Sequence, residues 1–365
     1  MITQLQKRSR IAISWSRLPP YAARLIRAGI QNLGEPVEII ASRPVALINE
    51  VESIIGQPIN WVDSNQTISW SDLEMDIPEI FFQAGWLSKA FKNLGKEVDR
   101  NGGQVVCFSD NSWKNTPRQW LGALAFRIRY LQYFDAMWVP GHSGMGLLEF
   151  YGMPKHKIYQ GMYGADPEVF FSQASLENRE KKFVFVGQLI ERKGINLLIT
   201  AFSKFHLQHP EWKLHVIGQG ALMDRLLNVP GIEVEGFKPP SYVADVLRES
   251  RFLILPSYEE HWGLVVHEAA LCGCGLIVSD AVGASWDLIG DRNGIVFKSN
   301  SSNSLYQGLV RAASFSETEL ELISSQSKAK ASKFGPEKWS KTFAQIITDA
   351  RTKNQVESEK AIKIC

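Results

Sequence analysis

Two glutamates, Glu260 and Glu268, stand eight residues apart in the stretch Pro256-Ser-Tyr-Glu-Glu-His-Trp-Gly-Leu-Val-Val-His-Glu268. An apolar run, Phe-Leu-Ile-Leu-Pro, precedes them and reads as a strand. A loop with carboxylates follows, then Gly263, then a helical pattern. An ionised carboxylate only accepts hydrogen bonds, which suits sugar or ribose hydroxyls. Gly263 permits close approach of the backbone to a ligand. The free N–H groups of a helix start can donate to hydroxyl or phosphate oxygens. The plain structural alternatives are an exposed loop acid at 260 and a helix acid stabilised by the dipole at 268.

A second stretch, Val184-Phe-Val-Gly187-Gln188-Leu-Ile-Glu-Arg192-Lys193-Gly194, again ends a strand in glycine and sets two cations just before a helix. Arg as a planar fork beside Lys as a point charge suits a diphosphate. Turn chemistry explains the same residues when they are taken alone. A third stretch, Val216-Ile-Gly218-Gln-Gly220, is a strand followed by two close glycines, and a tight turn accounts for it equally well.

These loops need strands to hold them. Apolar runs at 182–187, 212–218, 232–236, 252–256, 276–279 and 294–297 alternate with helical patterns at 194–206, 222–227, 241–248, 265–272 and 304–313. That alternation predicts a doubly wound parallel sheet, in which ligands bind beyond the carboxyl ends of the strands. The first half has the same grammar, with strands at 10–16, 37–41, 79–83, 104–109 and 136–140 and helices at 21–33 and 120–134. A length of 365 residues fits two domains. We expect them at 1–171 and 180–335, with the polar segment 171–180 between them and a last helix at 336–352.

The composition, 45% apolar and 21% charged, excludes a disordered chain. No apolar run reaches bilayer-spanning length, and no signal-like core follows the basic start, so the expectation is a cytoplasmic protein. Cys107, Cys272, Cys274 and Cys365 lack zinc spacing and read as reduced thiols. Charge is unevenly spread. Residues 1–34 carry Lys7, Arg8, Arg10, Arg17, Arg24 and Arg27 with no acid, 44–88 carry seven acids with no base, and 111–134 carry only Lys114, Arg118, Arg127 and Arg129. Solvated helix faces explain this. So does attraction to an anionic acceptor or to an anionic membrane, with Arg24 and Arg27 as the first candidates for the contact. No nucleic-acid-binding motif accompanies the charge, and no nucleic-acid partner is expected.

In this order and spacing the stretches resemble the family 4 glycosyltransferases, also called glycosyl transferases group 1. The resemblance runs from about residue 134 to 348. Phe134-Asp-Ala-Met-Trp-Val-Pro is similar to the family's strand closing the first domain, and Tyr151-Gly-Met-Pro through Gly164-Ala-Asp-Pro-Glu-Val-Phe170 to its linker. Glu260 to Glu268 fits its E-x7-E element, and Phe334-Gly-Pro-Glu-Lys-Trp339 the start of a helix returning to the first domain. The resemblance implies the GT-B fold, two Rossmann-like α/β domains facing across a cleft. It implies a retaining enzyme that needs no metal and no cofactor beyond its nucleotide diphosphate sugar. Glu260 would bond the donor sugar, Glu268 the ribose, and Lys193 with Arg192 the leaving diphosphate. Gly187, Gln188, Gly218, Gly236, Trp262, Gly263 and Leu264 would line the donor site. The acceptor would be a sugar, a glycolipid or another hydroxyl, with bacterial polysaccharide or glycolipid assembly as the setting.

The chain departs from the family pattern at several places. Gln188 stands where an arginine is common, and Gly275 where proline is usual. Ser16-Arg-Leu-Pro-Pro-Tyr-Ala-Ala replaces a glycine-rich loop, and no histidine occupies the expected place, where Val106-Cys-Phe-Ser-Asp110-Asn111-Ser-Trp113 runs instead. Asp110 is the candidate to orient an acceptor hydroxyl, with a turn acid at a strand end as the alternative. His142 reads as a hinge-loop residue or a base, and Trp113 and Trp120 as stacking platforms or core. The altered first half leaves two rival readings: a non-catalytic sugar-nucleotide-binding subunit, or another GT-B activity such as a sugar-phosphate synthase.

Overall fold

The structure is a computed structural model and describes residues 10–44 and 48–364. Lys7, Arg8 and Cys365 lie outside the described residues. The chain divides into two compact units, each described by itself. The first comprises 1–140, 144–164 and 336–365, and the second 141–143 and 165–335.

The first unit is built on β1 (Ile11–Trp15), α1 (Pro20–Leu33), β2 (Val37–Ala41), α2 (Ile48–Ile55), β3 (Asn60–Trp61), β4 (Ile80–Ala84), α3 (Lys89–Arg100), β5 (Gln104–Phe108), α4 (Pro117–Arg129), β6 (Ala136–Val139), α5 (His142–Tyr151), whose first two residues belong to the second unit, and β7 (Ile158–Gln160). The strands form one parallel sheet in the order β3-β2-β1-β4-β5-β6-β7. β1 and β5 are buried at every position, as expected for strands covered on both faces. Local signals set the helix starts. Pro20 opens α1, Ser88 caps α3 by accepting from the Phe91 amide, and Thr116 caps α4 ahead of Pro117.

The second unit holds β8 (Glu180–Val186), α6 (Ile195–His206), β9 (Lys213–Ile217), β10 (Ile232–Glu235), α7 (Pro240–Glu249), β11 (Ser250–Leu255), α8 (Leu264–Leu271), β12 (Gly275–Ser279), α9 (Ser285–Leu288), β13 (Gly294–Phe297), α10 (Ser302–Ala313) and α11 (Glu317–Ala331). Its sheet is also parallel, in the order β10-β9-β8-β11-β12-β13. The helix expected at 222–227 is only a single 3-10 turn, Met223–Arg225. Asn228 follows in a left-handed conformation (φ 65°) and Pro230 two residues later, so the turn cannot propagate.

The segment 165–180 belongs to the second unit, and the division falls at Gly164 rather than in 171–180. Polar anchors explain this placement. Arg248 donates to the carbonyls of Val169 (2.6 Å) and Phe171 (2.8 Å). The Arg179 guanidinium donates to the carbonyls of Leu247, Ser250 and Cys272. The final helix, α12 (Pro336–Ile364), packs in the first unit, where Trp339, Phe343, Ile346 and Ile347 join the core of β1, α1 and β2. Arg351 pairs with both oxygens of Glu35 at 2.8 Å, and Gln104 donates to the Ala350 carbonyl. Cys107, Cys272 and Cys274 are free and buried.

Candidate functional site

In the second sheet the chain fills β8, β9 and β10 outward, then returns to place β11 on the other side of β8. That reversal opens a crevice beyond the carboxyl ends of β8 and β11, the general position of ligand sites in such sheets. The loop after β8 carries Arg192 and Lys193, and the loop after β11 carries Glu260. Gly194 lets the two loops touch. It has φ 72°, and a Cβ there would lie 2.0 Å from the Pro256 carbonyl oxygen. The Tyr258 amide donates to the Arg192 carbonyl at 2.8 Å.

This contact brings together three of the residues picked out in the sequence. Lys193 Nζ donates to Glu260 Oε2. Arg192 lies 3.9 Å from the same oxygen and donates to the Glu259 carbonyl at 2.6 Å. The Lys193 and Glu260 side chains are only 13% and 14% exposed, so their charges meet with little water between them. Gly187 and Gly218 end neighbouring strands, and a Cβ on Gly218 would lie 1.9 Å from the Gly187 carbonyl oxygen. Gln188 is exposed beside them.

Glu260 is held in place by its backbone. Its amide donates to the Ala281 carbonyl, and the Gly283 amide donates to its carbonyl. Past it, the Trp262 ring is buried against Phe334, so only its backbone faces the loop. Among the described residues none accepts from the amides of Trp262, Gly263 or Leu264, which leaves three successive N–H groups at the start of α8. Glu268, further along α8, is half-buried and has no described hydrogen-bond partner. Burial without a cation raises its carboxyl pKa to about 7. Gly236 is not drawn in. It follows β10, two strands from β8, and a Cβ there would meet nothing within 4 Å.

Two contributions, and the partner of His142, were not legible in the sequence. Ser257 Oγ approaches Glu260 Oε2 at 3.4 Å, while Ser279 Oγ donates to the Ser257 carbonyl at 2.5 Å and fixes that turn. Serines at strand ends are too common to signal this. His261 Nδ1 is buried with no partner, an orphan polar atom beside the carboxylate loop. His142 Nδ1 lies 2.5 Å from Asp287 Oδ1, and the His142 amide donates to Oδ2 of the same carboxylate at 3.1 Å. Burial raises the Asp287 carboxyl, with His142 opposing the shift.

Asp110 lies in the first unit. The reversal of that sheet falls between β1 and β4. Beyond their ends is a cavity of about 310 Å³, lined among others by Trp15, Trp86, Phe108, Asp110 and Tyr163. The Tyr163 hydroxyl donates to Asp110 Oδ2 at 3.1 Å, and burial pushes its pKa well above the usual value, so it stays protonated. Asp135 has a structural part. It accepts from the Val105 amide and pairs with Lys353 at 2.7 Å. Trp113 packs on Phe150.

The sequence pattern for glycosyl transferases group 1 matches residues 167–328. This segment is a glycosyl transferases group 1 domain. An uncharacterized glycosyltransferase of Methanocaldococcus jannaschii is 28% identical over 167 residues, which are 44% of this chain and 43% of the relative, so the chain spans less than half the length of that relative. A glycosyltransferase from Rickettsia africae superposes with a TM-score of 0.73 at 14% identity, covering 94% of this chain and 99% of its own. Anabaena HepE, in complex with UDP and glucose, gives a TM-score of 0.71 at 15% identity over 93% and 99%. At such identities the likeness establishes the fold. Two Rossmann-like units with parallel sheets make this a GT-B protein.

Proposed function

We propose that this group 1 domain protein is a retaining, metal-independent glycosyltransferase that moves a sugar from a nucleotide diphosphate sugar to an acceptor hydroxyl. The observation that carries the reading is the meeting of Lys193 and Arg192 with Glu260 at the strand-order reversal of the second sheet. In the donor complex Lys193 and Arg192 neutralise the charge growing on the departing diphosphate. Preorganised cations of this kind act where charge develops, and that is their catalytic value. Glu260 accepts from sugar hydroxyls, the amides of Trp262, Gly263 and Leu264 donate to donor oxygens, and Glu268 accepts from the ribose.

Acceptor binding is assigned to the cavity of the first unit. Its aromatic walls suit the apolar face of a sugar ring, and Asp110, held by Tyr163, is placed to take a hydrogen bond from a hydroxyl. Among the described residues no helix is long and apolar enough to cross a membrane. Polysaccharide or glycolipid assembly on the cytoplasmic side of a bacterial membrane is the setting we propose.

A thermal-shift panel of UDP-, GDP-, ADP- and dTDP-sugars, repeated with EDTA, tests this reading. A ligand held a hundredfold above its dissociation constant adds about 2.7 kcal/mol of stability. The UDP and glucose bound to HepE make UDP-glucose the first probe. A selective shift that survives EDTA, followed by sugar transfer with retained anomeric configuration, is the expected result. No shift with any nucleotide sugar would refute the donor site.

A further inference from the structure

We propose that the outer face of α4 docks the first unit on an anionic lipid bilayer. Along Pro117–Arg129 the inner face is small or aromatic, with Ala123 and Phe126 buried. The outer face is large and apolar where a solvated helix would be polar. Trp120 is 57% exposed, Leu121 75%, Leu124 62% and Ile128 74%. Their spacing of one, four and eight residues sets them in a single stripe. Scattered exposed apolar residues are ordinary, whereas four on one helix face need a partner.

Charge selects the partner. Residues 111–134 carry Lys114, Arg118, Arg127 and Arg129 and no acid. Arg127 is bound to the carbonyls of Phe150 and Tyr151. Arg118 and Arg129 are exposed, and a helical wheel puts both on one flank of the stripe, where their stems can lie along lipid with the guanidinium groups at phosphate level. Trp120 has the amphipathic ring favoured at that depth. Leu87, 87% exposed, lines the aromatic cavity, and the neighbouring Trp86 packs on the inner face of α4 through Phe126 (ring centroids 5.7 Å). Arg27, a candidate from the sequence, instead donates to the Ile54 carbonyl.

Sedimentation of the full chain with vesicles of neutral phosphatidylcholine alone, or mixed roughly 7:3 with anionic phosphatidylglycerol, tests the docking. Binding is expected only to the mixed vesicles and should weaken with salt. Replacing Leu121, Leu124 and Ile128 together by Ser should lower it at least ~10-fold, given the apolar area removed. Arg118→Glu with Arg129→Glu should lower it by a similar factor. These positions are exposed, so circular dichroism and any nucleotide-induced thermal shift should stay unchanged, which separates this inference from the donor site. Absence of binding to mixed vesicles, or equal binding by the Ser variant, would overturn the proposal. So would a dimer in size-exclusion chromatography that the Ser variant dissolves, because the face would then belong to a second copy.

Discussion

Lys193 Nζ donates to Glu260 Oε2, so the cation assigned to the diphosphate and the carboxylate assigned to the sugar hold each other in the free protein. Removing Glu260 leaves Lys193 partly buried without its counter-charge, and removing Lys193 leaves Glu260 only Arg192, at 3.9 Å. We expect Lys193→Ala and Glu260→Gln each to cost about 1–3 kcal/mol in urea unfolding, and the double variant to cost less than their sum. Turnover should fall about 100–1000-fold in each single variant. Additive stabilities with full activity would show that the pair is incidental.

Glu268 gives a pH signature. Its carboxyl is raised from 4.5 to about 7 by burial, so folding favours the protonated form. Its contribution to stability is fully present below pH 4.5 and is lost as pH rises through 7. Glu268→Gln should therefore stabilise the protein at about pH 8, by about 2 kcal/mol after allowance for partial solvent screening, and give no gain at about pH 4. The same variant should weaken nucleoside diphosphate binding. In the unaltered protein that binding should strengthen from about pH 6 to about pH 8, as the carboxylate becomes a better acceptor for the ribose. Melting temperatures and titration calorimetry at the low and high pH values check both.

His267 acts in the opposite direction. It is buried between the Ala165 amide, which donates to Nδ1 at 2.8 Å, and the Ala331 carbonyl, 2.9 Å from Nε2. With Nδ1 accepting, Nε2 carries the proton and the ring is neutral. Burial lowers its pKa from 6.5 to about 4. Stability from this neutral ring is present above pH 6.5 and lost as pH falls toward 4, by about 3 kcal/mol in all. Acid unfolding curves of the unaltered protein and of His267→Gln should differ in slope across that window. Parallel curves would count against the assignment.

Gly194 is the point where the two loops close. With φ at 72°, a methyl group in place of its hydrogen would sit 2.0 Å from the Pro256 carbonyl oxygen, which leaves no room for alanine. Gly194→Ala should cost at least about 1–3 kcal/mol and, in whatever folded protein remains, abolish the nucleotide-induced thermal shift. Gly236→Ala, with open space around it, should change neither reading.

Much of the second unit was readable because β8, β9 and β11 are largely apolar runs followed by Gly187, Gly218 and Pro256. The loops at 187–194 and 256–268 could be placed at strand ends from the sequence alone. What could not be read was their convergence, because the return of β11 to the far side of β8 is a long-range pairing. Asp110 was visible as a strand-end acid, but the aromatic cavity around it draws on Trp15, Trp86 and Tyr163, which are far apart in the chain. α3 was missed although Phe91, Leu94 and Val98 follow helical spacing after the Ser88 cap. β3, two residues long, has too little pattern to detect. The boundary expected at 171–180 looked like a linker because it is polar. The carbonyls of Phe171, Ala174, Glu177 and Arg179, and the Arg179 guanidinium, are in fact taken up by hydrogen bonds within the second unit.

The position of α12 bears on how the chain comes off the ribosome. Residues 10–164 emerge first, yet the core of their unit is missing Trp339, Phe343, Ile346 and Ile347 until the last helix has been made. The second unit, complete by residue 335, has every strand and helix it needs before then. The apolar surface of α1 that α12 covers therefore has no cover until the last helix has been made, after the whole of the second unit.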